Sequence, residues 1–248
     1  MSTWKPITAL TMGDPVGIGP EICVDTMLSE EIHATCKPFI IGSIAVMEKA
    51  AAVKGANLKF NKINDPAEAK FEYGVCDILE TGDYDTDSLQ WGTVMKLAGQ
   101  MAADFIYKSI ELGLAGKIDA VSTTPINKQS IKLAGVKEAG HTEMYQEKTN
   151  SRYALTMFNC HKLRVFFVSR HMSLIDACKF CTKDVILQDV IDIDYELRKI
   201  GIDNPLIAVA GLNPHNGDNG LFGTEELTDI GPACEEAKAR GINCVGPI

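Results

Sequence analysis

Short apolar runs alternate with amphipathic stretches along the whole chain. Runs at 6–12 (PITALTM), 38–42 (PFIIG), 58–63, 75–79 and 118–122 have strand length and predict buried strands. Between them, apolar residues recur at helical spacing through Leu28, over 44–53 and over a long stretch, 92–114, that Gly116 ends. Asn127 is placed to cap a further helix, and a short helix runs through Thr149. Strands at 153–158 and 163–168 flank a turn at 159–162. An amphipathic helix over 185–200, a strand at 206–210, a helix over 224–240 and a strand from 242 complete the chain. Strands alternating with helices predict an α/β protein with a largely parallel sheet. No internal repeat or low-complexity segment interrupts the pattern.

Composition narrows the class. At 248 residues and 46% hydrophobic content, the chain can bury one large core or two modest ones. The expected domains are 1–125 and 126–248, with hinges near Pro125 and at Asn204-Pro205. A net charge of −9 argues against nucleic acid as a partner, since a basic face supplies most of that affinity. It suits a soluble cytoplasmic protein. The N-terminal stretch has no basic flank with a long apolar core, so no secretory signal is expected. No apolar run approaches the roughly 20 residues of a membrane span.

Eight cysteines are scattered as in a reducing compartment. Cys178 and Cys181 form one C-x-x-C without the second pair or histidine pair of a structural zinc site. They are expected as buried free thiols, with redox or metal use as the alternative. The acidic loop at 83–88 lacks the glycine and terminal glutamate of a calcium loop.

In α/β folds ligands collect beyond the carboxyl ends of strands, and the chemistry-bearing residues here follow strands. Gly13-Asp14-Pro15-Val16-Gly17-Ile18-Gly19-Pro20-Glu21 joins the first strand to the first helix. Its glycines either let the backbone approach a ligand or serve packing alone. The helix start offers free N–H groups to an anion. This is not the GxGxxG fingerprint of a classical dinucleotide fold. Lys128, after the strand at 118–122, either meets a phosphate or carboxylate or stays solvated. With His141 and Thr142, which precede a helix start, it forms a candidate anion pocket.

His171 and His215 follow later strands. Each alone is equally a solvated turn histidine. Together they make two neutral imidazoles available to a divalent cation, whose catalytic sites usually take three protein ligands. His33 and His161 are poor thirds, because neither follows a strand in this pattern; an aspartate or a residue of a partner chain would have to complete the site. A metal beside an anion pocket suits a small phosphorylated substrate. Spacing alone does not separate hydrolysis, isomerisation and hydride transfer.

The motifs GDPVGIGPE, STTPINK, AGHTE, SRHMSL and GLNPHNGDNGLFGTEE, in this order, resemble the 4-hydroxythreonine-4-phosphate dehydrogenase (PdxA-like) family over essentially the whole chain. The resemblance implies an isocitrate/isopropylmalate dehydrogenase-like two-domain α/β fold with a cleft. It also implies a homodimer with the active site at the subunit interface, and NAD with a divalent metal (Zn, Mg or Co) as cofactors. His141 and Thr142 would bind the substrate phosphate, and His171 and His215 the metal. Gly17 and Gly19 are the candidate cofactor contacts, and Lys128 and Asp14 the candidate catalytic residues.

The implied reaction oxidises the 3-hydroxyl of 4-phosphohydroxy-L-threonine and releases CO2. The product is 3-amino-2-oxopropyl phosphate, for pyridoxal phosphate biosynthesis. The alternative within the family is 4-phospho-erythronate or 4-phospho-threonate, from sugar-acid catabolism, which the NGLFG wording resembles. The chain ends at Ile248, where the family continues with a Tyr-His-Asp-Gln-Gly motif that carries a third metal histidine. The expectation is therefore a C-terminally truncated member, weak in metal binding and poorly active, or a binding-only paralogue. A phosphate-binding hydrolase is a more distant reading that the GDPVGIGPE loop disfavours.

Overall fold

The structure, a computed structural model, describes residues 4–248. The stretch read as lacking a secretory signal begins outside them. The chain forms two compact units, one ending at Ala154 and the other spanning Leu155–Ile248.

The first unit runs β1 (Ile7–Thr11), α1 (Gly19–Met27), α2 (Glu30–Thr35), β2 (Lys37–Ile41), α3 (Ile44–Lys54), β3 (Lys59–Ile63), β4 (Val75–Leu79), α4 (Lys96–Leu114), β5 (Ala120–Thr123), α5 (Lys128–Leu133) and α6 (His141–Lys148). Its five strands pair in the order β3-β4-β2-β1-β5, all parallel. α1 and α3 pack on each other, and α4 packs against β1, β2 and β5. The central strands are mostly apolar and buried, and every residue of β4, Asp77 included, is buried. Phe39, Ile40 and Ile41 of β2 pack with Ala9, Met27, Met47, Met101 and Phe105 in one core.

The expected break at 125/126 falls inside this unit. Ala102, Ile106 and Ile110 of α4 form a second cluster with Ile131 of α5 and Met144 of α6. Gly99 lets α4 and α5 approach closely, since a Cβ there would overlap the Ser130 carbonyl. Residues 126–154 are thereby packed onto the long helix of the first unit.

The second unit runs β6 (Met157–Cys160), β7 (Leu163–Phe166), α7 (Leu174–Phe180), α8 (Lys183–Lys199), β8 (Ile207–Ala208), α9 (Gly231–Ala239) and β9 (Cys244–Val245). β6 and β7 make an antiparallel hairpin, and β8 pairs with β9 in parallel. The core joins Ile186, Val190 and Ile193 of α8 to Ala233, Cys234 and Ala237 of α9, with Ile207 and Cys244 from the short strands.

Several expected boundaries move for identifiable reasons. α4 starts at Lys96 rather than Gly92, because Gly92 has φ +74, outside helical geometry, and donates to Val16. The hairpin turn is the two residues His161-Lys162, closed by the Cys160–Leu163 pair, and His161 takes the positive φ such a turn requires. The strand expected from 153 therefore starts at Met157. The helix expected over 224–240 opens with a wide turn, Glu226–Ile230, before α9, whose first turn contains Pro232. Two helices went unpredicted, α2 and α7. Each is capped by a serine, Ser29 onto the Ile32 N–H and Ser173 onto the Asp176 N–H.

All eight cysteines are free thiols; Cys23, Cys76, Cys234 and Cys244 are buried, whereas Cys178 and Cys181 are half-buried. Among the described residues no helix is long and apolar enough to cross a membrane.

Candidate active site

In the first unit the candidate residues gather beyond the carboxyl ends of β1 and β5. The chain builds β2, β4 and β3 on one side of β1, then crosses to place β5 on the other. Strand order reverses between β1 and β5, the position at which open α/β sheets take their ligands.

The chain leaves β1 through a sharp turn at Gly13, φ +68. A Cβ on Gly13 would overlap the Pro125 carbonyl and the Thr124 hydroxyl, so only glycine fits. Asp14 N donates to Pro125 O at 3.0 Å. The buried Thr124 hydroxyl donates to the carbonyls of Met12 and Thr11. These bonds tie the two strand ends together.

Asp14 is buried, and its carboxylate accepts the Val16 N–H at 3.1 Å while its carbonyl accepts the Gly17 N–H at 3.1 Å. Asp14 thus closes its own loop. Burial raises its pKa, with the Val16 N–H in opposition, so this carboxylate holds a proton more readily than an exposed one. The glycines of the loop differ. A Cβ on Gly19 would overlap the Met12 carbonyl, whereas a Cβ on Gly17 would make only ordinary contacts with Asp14. Packing within the chain demands Gly19; it does not demand Gly17.

Lys128 opens α5, positioned by Asn127, whose side chain accepts the Gln129 and Ser130 N–H groups at 2.9 and 3.0 Å. Its stem runs beside Gly140, where a Cβ would lie 3.8 Å from Lys128 Cε. The structure thereby brings Lys128 to the start of α6, next to His141. Gly140 provides no side-chain cap, so the first N–H groups of α6 are open to an anion. His141 Nε2 is buried without a hydrogen-bond partner, as are Thr11 Oγ1 and Glu21 Oε2, which flank the Gly13–Gly19 loop in sequence. Burial lowers the His141 pKa against the pull of Glu143, leaving a neutral ring at neutral pH. A buried polar atom without a partner is costly, and a phosphate oxygen is a fitting one. Thr142 is exposed at the same helix start.

Glu138 braces this corner. It accepts the Tyr107 hydroxyl at 3.2 Å from α4 and faces Lys148 of α6 at 3.5 Å. Burial opposes its charge, but its own backbone N–H, Lys148 and Tyr107 outweigh that and hold its pKa below the usual range. Its sequence neighbours do not mark it, because both partners are distant in the chain.

The second unit carries His171 and His215, both exposed, at φ +54 and +53. Each lies several residues past its strand, because β7 ends at Phe166 and β8 at Ala208. From His215 to Asn219 five successive residues take left-handed φ values. Asn, Asp and Gly tolerate that region best, and four of the five are of these types.

The turn closes on Glu226, 3% exposed. The Glu226 carboxylate accepts the Leu212 N–H at 2.8 Å, the Asn213 N–H at 2.6 Å and the Asn213 side-chain amide at 3.0 Å. Burial works against its charge, yet the Asn213 and Leu212 donors prevail and lower its pKa. The acidic pair in GTEE was the available signal for this residue. Beside His171, Arg170 hydrogen-bonds Thr156 Oγ1, and it acts electrostatically on Asp189, whose pKa burial and Asp192 push up to about 6.

His171 and His215 are imidazoles of the type a divalent cation takes as ligands, and neither ring has a partner among the described residues. No group of three His, Cys, Asp or Glu able to hold a metal occurs among those residues. For a dinucleotide, Gly17 is the loop glycine whose missing side chain the fold leaves unexplained.

Fold and site together define an α/β protein with a parallel sheet whose strand order reverses between β1 and β5, and with a candidate anion corner at the start of α6. Comparison with known proteins narrows this further. The family described as "Pyridoxal phosphate biosynthetic protein PdxA" matches residues 34–248. A Symbiobacterium thermophilum protein named "Putative D-threonate 4-phosphate dehydrogenase" is 44% identical over 243 residues, which are 98% of this chain and 72% of that protein. The crystal structure of a 4-hydroxythreonine-4-phosphate dehydrogenase from Burkholderia phymatum superposes with a TM-score of 0.90 at 35% identity, covering 99% of this chain and 74% of that one. The Klebsiella pneumoniae enzyme of the same name gives 0.92 at 32% identity, covering 98% and 75%. The chain belongs to the PdxA family, and these relatives are named as dehydrogenases.

Proposed function

We propose that the chain is an NAD- and divalent-metal-dependent dehydrogenase of a phosphorylated four-carbon hydroxy acid, with D-threonate 4-phosphate as the preferred substrate. The observation that carries the choice is the 44% identity, over nearly the whole chain, to the relative named for that substrate. 4-Phosphohydroxy-L-threonine, placed first from the motifs, is the second reading, favoured by the names of the structural neighbours. In the latter case the reaction would serve pyridoxal phosphate biosynthesis.

The two substrates differ at C2, hydroxyl against amine, and share C3 and the phosphate. The C3 hydroxyl gives up a proton and the C3–H bond a hydride, leaving a β-keto acid. Its C1–C2 bond then breaks, CO2 departs with the carboxyl carbon, and the electron pair left at C2 takes up a proton. Threonate yields a phosphorylated dihydroxyketone, and hydroxythreonine yields 3-amino-2-oxopropyl phosphate. NAD would accept the hydride, and a divalent cation held by His171 and His215 would lower the hydroxyl pKa and stabilise charge on the carbonyl oxygen.

The chain's own residues divide the remaining work. His141, Thr142 and the open start of α6 hold the phosphate. Lys128 and Asp14 handle protons, with the raised pKa of Asp14 suiting it to that task. Gly17 lies against the cofactor, with Gly19 keeping the loop on β1. His171 and His215 ligate the metal. The fold class would be isocitrate/isopropylmalate dehydrogenase-like, and the protein a cytoplasmic homodimer. One face of the β6–β7 hairpin supports self-association, because Phe158, Cys160, Leu163, Val165 and Phe167 alternate onto it and are exposed.

The test is NADH formation with each phosphate, with unphosphorylated threonate as a control. Higher kcat/KM for D-threonate 4-phosphate is expected. A preference for the amino substrate would move the assignment to the second reading, and equal use of unphosphorylated threonate would remove the phosphate corner.

A further inference from the structure

The left-handed turn that carries His215 is organised around one carboxylate distant in sequence. Glu226 lies at the head of the wide turn before α9 and is 3% exposed. Its Oε1 accepts two consecutive backbone N–H groups, those of Leu212 and Asn213 at 2.8 and 2.6 Å, just where the turn begins. Its Oε2 accepts the Asn213 side-chain amide at 3.0 Å, and that amide also donates to Glu225 at 2.7 Å. Gly217, in the middle of the turn, is buried with φ +72, and a Cβ there would lie 2.9 Å from Glu226 Oε2 and 2.6 Å from the Gly223 carbonyl. The turn thus begins on the carboxylate and wraps against it.

Five successive left-handed residues are not a conformation that L-residues hold unaided. Charge-assisted hydrogen bonds to a buried carboxylate are among the stronger local restraints a loop can have. His215 makes no hydrogen bond of its own that would orient it.

We infer that Glu226 is a positioning residue: by holding the Leu212–Asn213 backbone and seating Gly217, it fixes the course of the turn and therefore the direction in which His215 is offered to a divalent cation. The inference rests on the proposed ligand role of His215. Glu226 itself touches neither metal nor substrate in this role. It acts as second-tier residues do at metal sites, where loss of the orienting group typically costs about 10–100-fold in affinity.

The experiment uses the full chain with cobalt(II) alone as probe. Binding is read by calorimetry and visible absorption. Amide hydrogen exchange at Leu212 and Asn213 and thermal melting are followed in the absence of metal. In Glu226→Gln the two amides should lose protection, and cobalt affinity should fall about 10–100-fold while the melting transition stays cooperative. Gly217→Ala guards against a folding defect of the first variant. It leaves Glu226 and its backbone bonds in place but wedges the turn off the carboxylate, and it should lower cobalt affinity with Leu212 and Asn213 still protected. His215→Ala is the reference for complete loss of that ligand.

Unchanged cobalt affinity in both Glu226→Gln and Gly217→Ala overturns the inference. So does unchanged protection of the two amides in Glu226→Gln. If the unsubstituted chain binds no cobalt, the ligand reading of His215 falls and this role of Glu226 falls with it. If cobalt binds but only His215→Ala weakens it, the ligand reading stands and the positioning role alone is lost.

Discussion

The two units hold their candidate site loops in opposite ways. In the first, the Gly13–Gly19 loop and the start of α5 hang from the ends of paired strands, β1 and β5. Strand pairing, Thr124 and close glycine contacts set their positions, with apolar burial beneath. In the second, the strands near the functional loops are two to four residues long, and the His215 turn is held by polar bonds to a buried carboxylate. The first unit buries its apolar sheet; the second leaves an apolar hairpin face exposed. Regular secondary structure positions a site through many weak contacts, whereas an irregular loop depends on a few strong ones. Single substitutions should therefore act through the core in the first unit and through particular polar groups in the second.

Phe39→Ala probes the core side of that contrast most severely. Phe39 is fully buried in the central strand, and its truncation should cost about 3–5 kcal/mol in denaturant unfolding. A loss below about 1 kcal/mol would mean that the sheet core does not carry the first unit. The hairpin face should behave in the opposite way. Phe158→Ser combined with Leu163→Ser alters two residues that are each 62% exposed, so stability should stay within about 0.5 kcal/mol per site. Self-association should be lost in sedimentation. Retained association would place the contact elsewhere, and a large stability loss would show that the hairpin is internal.

The last expected effect is electrostatic. Burial, with Asp192 beside it, pushes the folded pKa of Asp189 up to about 6, above the usual carboxylate range. The folded state therefore binds this proton more tightly than the unfolded state does. The resulting stability is present below the unfolded pKa and is lost as pH rises through about 6. Asp189→Asn removes that loss. The variant's melting temperature relative to the parent should climb between pH 4 and pH 7, and a flat difference would show that Asp189 ionises without penalty.

Much of the first unit was legible in the chain. The runs that became β1, β2 and β4 are mostly apolar and buried, and burial writes itself into composition, whereas β3 and β5 at the sheet edges are largely exposed. Asn127 was readable as a cap because capping is local, and the structure shows it accepting two N–H groups. The serine caps at Ser29 and Ser173 were equally local and were passed over. In the second unit legibility fell. The 153–158 run lies on a hairpin whose register is set by its turn, and β8 extends only as far as β9 accompanies it.

The site shows the same division. His141, Lys128, His171 and His215 could be named from residue type and from their place after apolar runs. Glu138 and Glu226 could not be assigned a brace role, because each is defined by partners far along the chain: Tyr107 for one, Leu212 and Asn213 for the other.

Local chemistry was therefore available before any coordinates: strand and helix periodicity, caps, the turn-forming Asn-Gly-Asp-Asn run, and the types of side chain on offer. Folding alone settled that residues 126–154 pack onto α4, that strand order reverses between β1 and β5, and that Gly19 serves the fold while Gly17 stays free of it. It also settled that one buried carboxylate holds the His215 turn. The physical reason is range. Propensity and periodicity act over a few residues and leave their mark in adjacent letters, while close backbone approach and buried hydrogen bonds join residues whose separation along the chain says nothing of their distance in space.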